Sequence, residues 1–209
     1  MPERKTPLLF YLLSLAITAG AQTPYPVANP AAIVKQGHAR FTVLTNMLLR
    51  MEYADNDSFT DNASLTFVNR NLPVPSFTVQ HVNGWLMINT RYLVLRYKEN
   101  SGKFNAHNLK IAYIDSGSVR DNNTLSAFSW EPGDKDHHNL KGTTRTLDGA
   151  SGKFTFQGLR KLPVEDGIIS RSGWAFIDDS QRPLFDHSDW PWVQGRKDNG
   201  TQEWYFFGY

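Results

Sequence analysis

Cysteine is missing from all 209 residues. Its absence excludes a disulfide framework, a thiolate-held zinc or iron–sulfur centre and a thiol nucleophile. An excess of one charge is lacking too: 22 basic against 20 acidic side chains leave a net charge of +2, too weak a field to gather nucleic acid by its phosphates. No Gly-x-Gly-x-x-Gly turn, P-loop or Gly-x-Ser-x-Gly elbow occurs, which removes the commonest signatures of dinucleotide, nucleotide and serine-hydrolase chemistry. There is no internal repeat, and beyond residue 21 no apolar run approaches the roughly 20 residues that a membrane-spanning helix needs.

What is present is a large apolar and aromatic fraction, 40% and 13%, including 13 Phe, 8 Tyr and 6 Trp, which is material for a packed core. Residues 1–21 stand apart. Arg4 and Lys5 precede a short apolar run from Leu8 to Ala19, and Ala19-Gly20-Ala21 supplies small residues for cleavage, the pattern of a signal peptide. Export to the periplasm or the extracellular space is expected, with no membrane anchor. Residues 22–37 carry three prolines and read as an extended lead-in, so the domain is expected to begin near His38 and run to residue 203.

From there, short β-branched and aromatic runs alternate with Gly, Asn, Asp and Pro punctuation, which predicts an all-β fold, an antiparallel β-sandwich of about nine or ten strands. The clearest hairpin is Ser76–Val82, Asn83-Gly84 and Trp85–Thr90, because Asn-Gly accepts positive φ at both central positions of a type I′ turn. Further strands are expected over Arg91–Lys98, Leu109–Asp115, Lys153–Gln157, Ile168–Asp178 and Glu203–Phe207. One stretch reads two ways. Val43, Leu44, Met47, Leu48 and Met51 fit a helical face, whereas Met47, Leu49, Met51 and Tyr53 fit one side of a strand; poor helix formers at Phe41–Val43 and the lack of an N-cap favour strands.

Few residues suggest chemistry by themselves. Asp134, Asp136, His137 and His138 could offer metal ligands, but their spacing is that of neither an EF-hand nor a helical zinc site, and a solvated loop is the simpler reading. Asp178 and Asp179 are adjacent, so on a strand they point to opposite faces and do not share one substrate bond as acid and base. Between Arg171 and Arg196, Trp174, Trp190 and Trp192 are interleaved with Asp179, Asp186 and Asp189. Flat indole faces with fixed charges suit sugars, though tryptophans in a sandwich more commonly fill its core. Four Asn-x-Ser/Thr sequons, at Asn56, Asn62, Asn122 and Asn199, are read as chance in an Asn-rich chain.

Five segments carry a resemblance. Asn139–Gly149 (NLKGTTRTLDG), Gly167–Asp186 (GIISRSGWAFIDDSQRPLFD) and Trp204–Tyr209 (WYFFGY), joined by Arg40–Tyr53 (RFTVLTNMLLRMEY) and Asn69–Pro75 (NRNLPVP), resemble the N-terminal region of glycoside hydrolase family 31, the α-glucosidases, α-xylosidases and related retaining enzymes. The resemblance implies a galactose-mutarotase-like sandwich packed, in the full enzyme, on its own catalytic (β/α)₈ barrel. In that enzyme two barrel aspartates, about 5–5.5 Å apart, would work through a covalent glycosyl intermediate on an α-linked oligosaccharide. WYFFGY resembles the stretch just before the barrel's first strand, and no Asp of this chain matches the catalytic motifs, so no catalytic residue, cofactor or metal ligand is assigned here. Thr143, Arg145, Asp148, Asp179 and Asp186, with Trp174, are the positions that the resemblance and the residue chemistry put forward for contact with sugar. The competing expectation is a free-standing glycan-binding module using Trp174, Trp190 and Trp192.

Overall fold

The computed structural model describes residues 25–114, 128–141, 166–188 and 191–209. Within them the chain forms twelve strands and a single 3-10 turn. The first sheet has the order β1-β2-β3-β12-β9, from β1 (Ile33–Gln36), β2 (Ala39–Val43), β3 (Leu48–Tyr53), β12 (Gln202–Gly208) and β9 (Trp174–Asp178). The second is a meander of β4 (Thr78–Val82), β5 (Trp85–Asn89), β6 (Leu93–Lys98), β7 (Leu109–Tyr113) and β8 (Ser129–Trp130). A two-stranded ribbon, β10 (Leu184–Phe185) with β11 (Val193–Gln194), lies apart from both. Every pairing is antiparallel. No helix among the described residues is long and apolar enough to cross a membrane.

Alternation builds the interface between the sheets. Leu93, Leu95 and Tyr97 of β6 point inward between exposed Arg96 and Lys98, and they meet Phe41, Leu49, Met51, Trp204 and Phe206 of the first sheet in one core cluster. Aromatic contacts stitch the two layers, with Phe41 to Tyr97 at 5.4 Å, Phe104 to Trp204 at 5.6 Å and Trp130 to Phe206 at 5.2 Å between ring centroids. Each fully buried side chain of this kind contributes roughly 1.5–3 kcal/mol by leaving water.

The Asn-Gly hairpin forms between β4 and β5, with φ of 52° at Asn83 and 76° at Gly84. The ambiguous stretch becomes two strands, β2 and β3, joined by a turn in which the amides of Leu44 and Thr45 donate to the Leu48 carbonyl. The expected lead-in enters the sheet: Ile33–Gln36 pairs with β2, and the Tyr25 carbonyl accepts from the amides of Arg70 and Asn71. β-branched Ile33 and Val34 outweigh the preceding prolines there. The strand expected over Ile168–Asp178 shortens to Trp174–Asp178, because Gly173 turns the chain with φ of 77° and leaves Ile168 and Ile169 exposed. Lys153–Gln157 lies outside the described residues.

Candidate functional site

The outer face of the first sheet is buried as well, and it is charged. Register explains the arrangement. Arg40 on β2 stands opposite Glu52 on β3, and Glu52 stands opposite Glu203 on β12, while Thr42, Arg50 and Tyr205 form the next row. Two carboxylates directly across from one another repel, so the guanidinium groups above them decide whether the face is stable.

Glu203, with no exposed surface, is the hub. Its Oε1 accepts from Arg50 Nε at 2.9 Å, Arg50 Nη2 at 2.6 Å, Arg70 Nη2 at 3.2 Å and the Tyr205 hydroxyl at 3.0 Å. Its Oε2 accepts from Arg196 Nη1 at 2.6 Å. Glu52 accepts from Arg40 Nε at 2.7 Å and Nη2 at 2.8 Å, with Arg50 Nη2 at 2.9 Å. Asp61, from the loop after β3, takes Arg40 Nη2 at 2.7 Å. Burial pushes the Glu203 carboxyl up, but Arg50, Arg70 and Arg196 outweigh it and hold the group below the usual carboxylate range. Burial also raises the Asp61 carboxyl, and its hydrogen bond from Arg40 overcomes that and lowers it.

Above this network opens a cleft of about 620 Å³ between the loop after β3 and the β10–β11 ribbon. Phe59, Asp61, Phe185, Asp186, Arg196 and Lys197 are among its walls. Asp186 accepts from the Ser188 hydroxyl at 2.6 Å, the Trp192 amide at 3.0 Å and Gln194 Nε2 at 3.1 Å, and these bonds, led by Ser188, hold its carboxyl at about 2. Of the three carboxylates that line the cleft, Asp61 and Asp186 are therefore ionised acceptors, whereas burial raises the carboxyl of Glu52 against the opposing charges of Arg50 and Arg40.

The other sequence-predicted positions fall elsewhere. Thr143, Arg145, Asp148 and Trp190 lie outside the described residues. Trp174 packs in the core against Trp130 and Phe206 and is 8% exposed, while Trp192 is exposed. Asp179 is fully buried and neither of its oxygens makes a hydrogen bond among the described residues. Burial raises its carboxyl, opposed in part by the Ser64 and Thr66 hydroxyls and by the charge of Arg70.

Asp136 is a loop clamp. It accepts from the hydroxyls of Ser170 and Ser172, each at 2.8 Å, and from Asn139 Nδ2 at 3.0 Å. It borders a smaller cleft of about 420 Å³ whose floor includes Trp174 and Phe176. No group of three or more metal-ligating side chains is gathered among the described residues.

Sequence reasoning missed Arg40, Arg50, Glu52, Arg70 and Glu203. A signal existed: Arg50 and Glu52, two apart and framed by Leu49, Met51 and Tyr53, share the face opposite the apolar one. That pattern also describes a solvated face, and the cover supplied by residues 54–72 distinguishes the two. Comparison of the sequence with family models and with curated proteins returns no match.

Proposed function

We propose that the chain is the non-catalytic, galactose-mutarotase-like β-sandwich of a secreted, retaining α-glycoside hydrolase of family 31, whose barrel acts on α-glucosides or α-xylosides. What supports the reading is where the resembling segments meet. Arg40, Arg50 and Glu52 come from RFTVLTNMLLRMEY, Arg70 from NRNLPVP, Asp179 from GIISRSGWAFIDDSQRPLFD and Tyr205 from WYFFGY. All six belong to, or border, one buried network around Glu203. Segments scattered over the sequence are thereby accounted for by one feature, which gives the sandwich a rigid outer face.

The reading assigns the chemistry to two aspartates of the barrel and to none of this chain's own. Its test is the reading frame downstream of the Tyr209 codon. It is expected to continue into a (β/α)₈ barrel carrying an aspartate pair, and the purified 209-residue chain is expected to release no 4-nitrophenol from 4-nitrophenyl α-glucoside. A frame that enters unrelated sequence overturns the proposal, as does steady hydrolysis that survives repurification.

A further inference from the structure

We propose that the 620 Å³ cleft over the arginine–carboxylate network is a binding site for a neutral oligosaccharide. The inference rests on the preceding reading only for the choice of an α-linked sugar as probe.

Size, charge and the state of each polar group point the same way. The volume lies within the range of about 300–1,000 Å³ of small-ligand sites. Glu52, Asp61 and Asp186 in its walls face Arg196 and Lys197, with Arg40 and Arg50 bound to the same carboxylates beneath. The opposed charges nearly cancel, so neither a phosphorylated nor a polyacidic ligand gains a net attraction, and a polycation gains none either.

The acceptors are held in place. Asp61, whose side chain is 40% exposed, is fixed by Arg40, and Asp186 is fixed by the Ser188 hydroxyl and by Trp192 and Gln194, yet both carboxylates keep lone pairs for a ligand. The donors are free: the Lys197 ammonium, the Asn199 side-chain NH₂ and the Ser58 hydroxyl have no hydrogen-bond partner among the described residues. Phe59 and Phe185 add apolar rings to the same walls. Anchored ionised acceptors, uncommitted donors and rings around a charge-balanced cavity match the alternating hydroxyl and C–H surface of a sugar.

The full 209-residue chain is titrated calorimetrically with maltotriose and, separately, with the α-xyloside disaccharide isoprimeverose. At least one is expected to bind with a Kd on the order of 1 mM, and because the ligand is uncharged a rise in salt leaves that Kd unchanged. Lys197→Ala and Phe185→Ala are each expected to weaken binding about tenfold. Lys197 is exposed, so its variant keeps the parent unfolding transition, and Lys98→Ala on the far sheet leaves affinity unchanged.

Absence of binding by both sugars at about 50 mM overturns the inference. So does affinity that Lys197→Ala leaves intact, or a preference for trigalacturonate that disappears with salt. The outcomes separate from those of the preceding section. A barrel downstream with no sugar bound here removes this site alone, and sugar bound here with no barrel downstream removes the family reading alone.

Discussion

Replacing Glu203 with glutamine tests the charged face most directly, because the side chain keeps its volume and one acceptor while three guanidinium groups lose a shared counter-charge. The survivors are not equally provided for. Arg50 keeps Glu52 and the Thr60 carbonyl, and Arg196 keeps the Asp179 carbonyl. Arg70, itself fully buried, is left with the carbonyls of Pro26, Asp61 and Asn62 and the Tyr205 hydroxyl, and with no carboxylate bonded to it. Breaking a buried pair by removing one partner costs about 3–5 kcal/mol. The retained contacts place Glu203→Gln near the lower end, about 3 kcal/mol, out of a total of roughly 5–15 kcal/mol for a domain. For a chain of this length that corresponds to a fall in Tm of about 6–12 °C. Urea unfolding followed by tryptophan fluorescence should show the midpoint shift with an unchanged slope.

Acid supplies a second readout. A carboxyl held low in the fold contributes stability that is complete above its unfolded pKa and is lost as pH falls through its folded one, so parent and variant should converge in acid. Lys110→Ala, which breaks the exposed pair with Glu131, serves as the contrast and should cost less than about 1 kcal/mol. A loss below about 1 kcal/mol for Glu203→Gln would refute the reasoning, since the buried network would then behave like a surface pair.

Two further substitutions probe individual positions. Asp179→Asn should leave stability unchanged below the usual carboxylate range and raise it above, because a carboxyl whose folded pKa is raised loses its stabilising effect as pH climbs through that value; a destabilised variant at neutral pH, measured by urea titration, contradicts the buried orphan carboxylate. Gly84→Ala should cost about 1 kcal/mol, all of it backbone strain at positive φ, since an added Cβ meets nothing within 4 Å. An unmoved urea midpoint would mean that the hairpin does not depend on that conformation.

Much of the second sheet was legible because it is built as a meander with one face in water. Leu93, Leu95 and Tyr97 alternate with exposed or half-buried partners, and Asn83-Gly84 marks its turn. The first sheet was harder for a physical reason. Both of its faces are buried, so apolar residues occur at both parities of a strand and mimic a helical stripe. Val43 and Met51 pack into the inter-sheet core, whereas Leu44 and Leu48 pack on the other side with Tyr205 and Phe67. The same double burial hid the site. Arg50 and Glu52 look solvated until the loop carrying Thr60 and Asp61 is folded over them, and no local pattern announces that closure. Asp186 was singled out for sugar contact and does border the cleft, while Trp174 and Asp179 went into the interior because a strand flanked by covered faces has little open surface to offer.

The place of β12 has a consequence for how the molecule assembles. The strand lies between β3 and β9, and its Glu203 bonds to Arg50, 153 positions earlier. The second sheet closes by hairpins between neighbours in sequence, so it can form as soon as residues 78–130 have been made. The first sheet must wait for β12, and until then β3 carries an unpaired edge with Arg50 lacking Glu203. Long-range pairing of this kind slows folding and prolongs the exposure of strand edges to other chains. During synthesis the half-finished chain is thus a completed meander tethered to an open three-stranded sheet, the species in which premature association would be concentrated.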